Sequence, residues 1–577
     1  MTKWFLGGIL LLAFFLRVPF LDLYPIGFTP DEASFGYDAY SILHTGKDQW
    51  GHTLPLVLES FGDFKAPLYT YIDIPFVAVL GLTKTAVRLP NALLGVVAVW
   101  VVYLLVNELT NGRQSKSKFK SKKDEEKLLL DSDLDLGCVA AFFLAISPWH
   151  VQLSRGAFEA NMITFFVPMG LFFFLRGLKN KKYLPWSAFV FGLSLFTYHT
   201  AKVVTPLIVG FIVVLYWNQI KKLPTKLKRG TILIFASFIL LTGLTFLNGA
   251  GRRAADISIA NGALESQAMD RYAAIQGGLS PILSKVMYNK YVVISQRFWR
   301  NYSSYFSYDF LFNNGPREGT YGMIPQLPVL YWFELPLLLL FIFYAFKYHK
   351  EKHVWVIFFW LLISPVPASL TQGVGHAANR AGSMMPVLQI CIALGGYFLY
   401  DFVRTKNFVM TKMISLVYCL IIIISFLNFA KTYILYSPSK LAKPMLYQNL
   451  EVAYWLRDNA SDKTNIIVSS KLSEPHMYIA FANSWDPTQY QLETEDWVRY
   501  REENLTFLDQ LSEYKIGKYN FKHIEKQDFV GSSTTLLVGR PDEFPDSMEI
   551  VKEFYYPNRE PAIVVVSPYR QTYAYKN

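Results

Sequence analysis

Cysteine is nearly missing from this chain. The 577 residues hold three, Cys138, Cys391 and Cys419, and each sits inside an apolar run. That excludes a disulfide framework and a thiolate metal site, and it leaves the redox compartment unread. Charge is short as well. Asp, Glu, Lys and Arg together make 17% of the chain, where a soluble globular protein carries roughly 25%. No period of roughly 20–50 residues recurs, so repeat architectures are out. What fills the space is apolar: 52% hydrophobic residues, 16% of all residues being aromatic. A chain of this length and composition cannot hide its apolar surface in soluble cores. Most of it belongs in lipid, and disorder, collagen and coiled coil are excluded with it.

The formal charge is 56 − 44 = +12. Its placement matters more than its size. The densest basic stretch is Arg113–Lys127, and others are Lys179–Lys182, Lys221–Arg229 and Lys347–Lys352. None reads as an aromatic-lined groove for a nucleic acid strand. All follow from the excess of Lys and Arg in cytosolic loops of membrane proteins. Partners are therefore the lipid bilayer and not nucleic acid.

The chain opens with Lys3, a charge-free run Trp4–Leu16, and then Arg17-Val-Pro-Phe. With no small-residue cleavage site behind it, this reads as a signal anchor with its N-terminus in the cytosol. Further apolar runs bring the expected count to about eleven spans, on a need of ~20 residues each with soft boundaries. The segment Ala66–Leu82 carries Asp73 and Pro75 and is expected to lie in the interface. Counting it as a crossing would put the basic loops on the wrong side. This topology sends residues 22–88, 147–160, 250–327 and 371–381 to the non-cytosolic face as loops.

The chain then divides into a membrane module, residues 1–430, and an extracytoplasmic α/β domain, residues 431–577. In the latter, Asn449–Asn459 has the pattern of an amphipathic helix. Ile466–Ser469, Thr534–Val538 and Ala562–Val566 are apolar runs of strand length.

Charged groups at a membrane surface are costly unless they face water or perform a task, and the informative ones collect on the non-cytosolic face. The first loop holds Thr29-Pro-Asp31-Glu32, which suits a helix cap and first turn; a carboxylate fixed there is also oriented and kept ionised. Lys65, followed by Pro67 and Tyr69, fits an interfacial anchor or a contact to a lipid phosphate. Arg155 and Glu159 are four apart, so on a helix they share a face and can pair. His199 and Lys202 lie at a turn between spans, and His376 and Arg380 precede a later one. Carboxylates and cations thus come from separate loops on one face. Cations suit a phosphate, and a carboxylate suits a hydroxyl to be deprotonated. The histidines His44, His52, His150, His199 and His376 are scattered without metal-ligand spacing, so no metal and no cofactor is expected.

Several of these motifs stand in a familiar order: an apolar helix, Asp31-Glu32, Gly62-Asp63-Phe64-Lys65-Ala66-Pro67-Leu68-Tyr69, then Val87-Arg88-Leu89-Pro90-Asn91-Ala92-Leu93-Leu94-Gly95. Together they resemble the bacterial members of glycosyltransferase family 39. They are also similar to the aminoarabinose transferases and the protein O-mannosyltransferases. These are GT-C membrane enzymes that use a polyprenyl-phosphate sugar donor. The likeness covers residues 1–430.

The resemblance implies that Asp31 is the catalytic carboxylate and Glu159 a second acidic residue of the site. It also implies that Lys65, with Lys202 and Arg380, holds the donor phosphate. Glu32, Tyr69, Arg155, His199 and His376 remain further candidates. The chain departs from the family at Lys65-Ala66-Pro67, where relatives read Lys-Pro-Pro. It lacks the Trp-Trp-Asp motif of oligosaccharyltransferases, which speaks against transfer of a whole oligosaccharide. The expected activity is an inverting transfer of one sugar, hexosyl or pentosyl, from the polyprenyl-phosphate carrier to a hydroxyl acceptor on lipid, protein or glycan. A secondary transporter or lipid flippase is the alternative, but it needs ionisable groups near the bilayer midplane, and these spans are nearly charge-free at their centres.

Overall fold

Helices form where charge-free runs were expected to cross the membrane. The computed structural model describes residues 2–114, 135–246, 258–319, 321–372, 377–404 and 408–570. Among them, six helices are long and apolar enough to span a bilayer: Lys84–Thr110, Glu159–Lys179, Thr225–Thr245, Lys352–Ser369, Gly382–Arg404 and Val409–Leu441. Joining the pair Leu136–Ile146 and Pro148–Ser154, bent by 62°, gives a seventh. Shorter helices occupy the other expected positions: Thr2–Arg17, Leu184–Ser194, Ala201–Leu215 and Glu334–Lys347. The protein is a multi-pass, mostly helical membrane protein. The basic stretch Arg113–Lys127 falls almost wholly outside the described residues.

The N-terminal helix α1 (Thr2–Arg17) ends at Arg17, whose guanidinium is buried. It bonds the carbonyls of Leu144 and Ala145 at 3.0 and 2.9 Å, and His150 Nδ1 at 2.8 Å. Helix α2 (Pro30–Thr45) starts with Thr29 as cap and Pro30 in the first turn. Two short antiparallel strands follow, β1 (Leu58–Glu59) and β2 (Phe64–Lys65). Helix α3 (Leu68–Leu80) fills the segment expected in the interface. Its 13 residues reach only ~20 Å at ~1.5 Å per residue, short of the ~30 Å hydrocarbon layer. Helix α4 (Lys84–Gln114) comes next and is long and apolar enough to cross.

The C-terminal part is built on a six-stranded mixed sheet. Its strands are β3 (Asn465–Ser469), β4 (Glu513–Ile516), β5 (Tyr519–Lys522), β7 (Thr535–Gly539), β8 (Glu549–Tyr555) and β9 (Pro561–Ser567), in the order β4-β5-β3-β7-β9-β8. A short pair, β6 (Val530–Gly531) with β10 (Tyr569–Arg570), lies beside it. The central strand β3 is parallel to β5 and to β7, in register Ile466↔Tyr519 and Ile466↔Leu536. Both of its faces are covered, which explains its unbroken apolar run. Asn449–Asn459 is a helix, and Pro475–Asn483 forms another whose residues are almost all buried.

One hydrophobic core joins this C-terminal part to the stretch 28–87. Phe28, Phe35, Tyr37 and Tyr69 pack in the same cluster as Tyr478, Trp497 and Phe521. Tyr478 Oη donates to the Phe28 carbonyl at 2.8 Å, and Tyr37 Oη to that of Trp485 at 3.0 Å. A side chain at Gly36 would meet Val87 and Phe481 at 2.5 and 2.9 Å, so this helix face must be bare. Helix α2 thus belongs to both parts, and the site lies along their junction.

Candidate active site

Residues 29–32 fold as a capped helix start, and this separates the two adjacent carboxylates. Thr29 Oγ1 accepts from the Glu32 amide at 3.3 Å, and Glu32 Oε2 accepts from the Thr29 amide at 3.0 Å. This is a reciprocal capping box. Glu32 is fully buried against Arg88, itself fully buried. Arg88 Nε and Nη2 meet the two carboxylate oxygens at 2.8 and 3.0 Å. The guanidinium also donates to the carbonyls of Leu21, Pro25 and Gly27 at 2.7–2.8 Å. The Ala157 amide completes the cluster with a 3.1 Å bond to Glu32 Oε1. Glu32 is therefore a knot tying three loops together.

Asp31 turns the other way. Its side chain is 32% exposed, and Oδ1 lies 2.8 Å from Lys65 Nζ. Lys65 is only 3% exposed and stands over the rings of Phe35 and Phe61, at 4.8 and 5.1 Å. An ammonium boxed by two π-faces is held in place, here with Asp31 at pairing distance. Glu159 lies within electrostatic reach of both Asp31 and Lys65.

The β1–β2 hairpin that carries Lys65 is clamped from the C-terminal domain. Glu59 is bonded by Arg501, whose Nε sits at 3.0 Å, and by the Tyr500 hydroxyl. The Leu508 amide donates to the Phe61 carbonyl at 3.1 Å. Gly62 has φ +105° and faces the Thr506 carbonyl so closely that a Cβ would stand 2.2 Å from it. Only glycine fits both demands.

The remaining candidates divide. His199 Nε2 donates to the Phe64 carbonyl at 2.9 Å, tying its turn to the hairpin. Burial, with Lys202 nearby, pushes its pKa down to about 4, so the ring is neutral. Lys202 itself reaches Thr245 Oγ1 at 3.3 Å and stands over Phe246, at 5.3 Å. Arg380 donates to Thr371 Oγ1 and to the Gln372 carbonyl at 3.0 and 2.6 Å. It also acts on Glu318 and on Tyr198, whose hydroxyl lies 3.3 Å from Asn379 Nδ2. Tyr198 in turn feels Glu159 and Asp31, and burial together with these carboxylates raises its pKa.

The contacts described for Lys202 and Arg380 run to Thr245, Phe246, Thr371 and Gln372, not to Lys65. Tyr69 is buried, donating to the Val87 carbonyl at 2.7 Å. Arg155, buried, donates to the carbonyls of Leu16, Pro19 and Phe20 at 3.0, 2.7 and 3.2 Å. Its place four residues before Glu159 suggested a helical pair, but a 3-10 turn begins at Glu159 and the guanidinium is directed at the end of α1 instead. His376 lies outside the described residues, and among those residues no group of His, Cys, Asp and Glu could hold a metal ion.

Beside Asp31 opens a cavity of 420 Å³ lined by Phe61, Tyr321, Glu474, Phe507 and Asp509. Two of these carboxylates come from the C-terminal domain and had no motif to announce them. Glu474 is 4% exposed. Burial, then the nearby Asp509 and Asp31, hold its pKa well above the usual carboxylate range against the pull of Lys65. A larger cavity, 490 Å³, is lined by Asp22, Lys84, Glu451 and Tyr454, but Lys84 is already paired with Glu451 at 2.8 Å and no candidate residue borders it.

No family model matches the chain, and no curated protein matches it in sequence. Solved structures do match. ArnT from Cupriavidus metallidurans, bound to undecaprenyl phosphate, aligns over 98% of this chain and 97% of its own, with 11% identity and a TM-score of 0.51. The same protein in the apo state gives a TM-score of 0.49 over the same shares, also at 11% identity. The oligosaccharyltransferase AglB from Archaeoglobus fulgidus, in complex with an inhibitory peptide and a dolichol-phosphate, matches 83% of this chain and 63% of its own, with 13% identity and a TM-score of 0.47. The likeness to ArnT places this chain in the GT-C fold.

Proposed function

We propose that the chain is an inverting glycosyltransferase that moves one sugar from a polyprenyl-phosphate carrier to an acceptor hydroxyl. The observation that carries this reading is the Asp31–Lys65 pair, 2.8 Å apart at the edge of a cavity. Its setting supports the reading: a fold shared with a protein solved with undecaprenyl phosphate bound. Asp31 sits in the first turn of α2, where the helix dipole favours its ionised form, and it is exposed enough to meet a substrate.

In the reaction the acceptor oxygen attacks the anomeric carbon, and its proton passes to Asp31. The bond from the anomeric carbon to the phosphate oxygen breaks, and its electron pair leaves with the polyprenyl phosphate. Lys65, paired with Asp31, carries three N–H donors with which to meet the departing phosphate and its charge. Lys202 and Arg380 serve the same anion from the neighbouring loops, and Glu159 orders the pair electrostatically. One displacement inverts the anomeric centre. The site faces the non-cytosolic side of the plasma (inner) membrane, with residues 1–430 as the membrane module and 431–577 as an extracytoplasmic domain completing the site.

Asp31→Asn tests this. The amide keeps the size and much of the helix-start geometry but is a poor base. Transfer from a synthetic polyprenyl-phosphate sugar should fall by ~10²–10⁴-fold, the scale of a lost general base, while undecaprenyl phosphate still binds. Near-normal transfer by this variant would sink the assignment.

A further inference from the structure

The cavity beside Asp31 has a lining that carrier binding does not explain. Asp31, Glu474 and Asp509 border it, and so do Phe61, Tyr321 and Phe507. A wall of acidic side chains with no cation in its lining offers a phosphate no counter-charge, so the carrier's charged end belongs on the Lys65 side. Glu474 adds a specific demand. It is almost fully buried, it lines the cavity, and its Oε2 has no hydrogen-bond partner. His476 Nδ1 stands 3.6 Å from that oxygen, beyond a hydrogen bond. Burial also drives the His476 pKa down to about 3, so no ion pair forms. Buried polar atoms are nearly always bonded, and the residue that carries this one lines the cavity.

From this composition we infer that the cavity is the acceptor subsite and that it takes a saccharide, neutral or cationic, whose hydroxyls bond Glu474, Asp509 and Asp31 while a ring face lies on the aromatic wall. This rests on the transferase reading above and deepens it. Carboxyl groups interleaved with flat rings match a sugar, which presents hydroxyls at its rim and C–H groups on its faces. Glu474, held in its protonated form by burial and its acidic neighbours, can both donate to and accept from a hydroxyl. The volume of 420 Å³ falls in the range of small-molecule sites, roughly 300–1,000 Å³. Because Glu474, Phe507 and Asp509 come from the C-terminal domain, that domain selects the acceptor, and the membrane module holds the donor.

The experiment uses full-length protein in lipid nanodiscs with three probes: undecaprenyl phosphate, an array of neutral and amino oligosaccharides, and an array of Ser/Thr peptides. Wild type should retain a set of glycans. Glu474→Gln should weaken that retention about tenfold, the scale of a lost buried hydrogen bond. Phe507→Ala should weaken it as well, at a ring that is 40% exposed and whose removal leaves the core intact. Affinity for undecaprenyl phosphate should not change in either variant. A blank glycan array, glycan binding equal in wild type and both variants, or capture of peptides that the variants lose would each overturn the saccharide site. Undecaprenyl phosphate that fails to bind wild type while glycans are retained would defeat the transferase reading and leave the saccharide site standing.

Discussion

The two neighbours Asp31 and Glu32 should respond in opposite ways to mutation. Arg88 makes five hydrogen bonds, two to Glu32 and three to the carbonyls of Leu21, Pro25 and Gly27. Glu32 and Arg88 are both 0% exposed. Removing one member strands the other as a buried charge, which costs about 3–5 kcal/mol. Glu32→Ala should therefore lose that much stability, along with the Thr29 and Ala157 amide bonds, and yield little folded protein. Glu32→Gln keeps the shape and one acceptor oxygen and should lose less. A double change, Glu32→Ala with Arg88→Met, removes the stranded charge and should recover part of the loss. Asp31→Asn, at a side chain that is 32% exposed, should melt close to wild type. The assay is size-exclusion recovery after heating in detergent, run beside transfer activity. A Glu32→Ala protein that melts like wild type yet transfers nothing would refute the division and move the chemistry to Glu32.

Three other outcomes follow from the same contacts. Lys65→Ala should weaken undecaprenyl-phosphate binding by roughly ten- to a hundredfold, the worth of a charge-assisted contact at about 1.5–3 kcal/mol; unchanged affinity in a binding titration would make Lys65 only a partner of Asp31. Arg501→Ala should release Glu59 and the hairpin, cutting transfer between about ten- and a hundredfold through misplacement of Lys65. Arg501→Lys should rescue part of that loss, and Arg457→Ala, in the last turn of the helix Asn449–Asn459, should have no effect in the same kinetic assay. Asp38 is buried, and burial with Asp48 beside it raises its pKa to about 8. The folded state then binds a proton that the unfolded state has released, so stability falls as pH rises from about 4 to 8, by at most about 1.4 kcal/mol per pH unit. Asp38→Asn, which keeps an acceptor for the Gln49 amide now 3.0 Å away, should flatten that slope in pH-dependent melting.

Much of the fold was written locally. Charge-free runs became helices because the backbone has no partner in lipid but itself. The helix Asn449–Asn459 and the central strands β3, β7 and β9 announced themselves by period and by apolar content. The edge strands did not. Glu513–Ile516 and Glu549–Tyr555 carry charges on their exposed side, and their place is fixed by pairing with a covered neighbour rather than by their own pattern. The capping box was legible in Thr29-Pro-Asp-Glu. Its partner Arg88 was visible only as a charge entering an apolar run, a cost that demands a buried anion.

The site was half legible for a related reason. Asp31 and Lys65 lie on elements whose turn residues mark them, so their chemistry could be weighed from sequence. Their distance could not, because the hairpin that presents Lys65 is two residues of strand on either side. So short a pair is marginal by itself. What fixes it is Glu59 held by Tyr500 and Arg501, and Gly62 pressed on Thr506. Every one of those holding residues is in the C-terminal domain, in stretches that read as ordinary polar surface. The same holds for Glu474 and Asp509. A carboxylate becomes informative only when burial removes its alternatives, and burial here is made by docking the domain onto α2 and the hairpin. The Asp31–Lys65 pair and the carboxyl-lined cavity beside it are therefore products of one packing, in which residues 29–65 supply the pair and the C-terminal part supplies Glu474, Asp509 and the contacts that hold the hairpin.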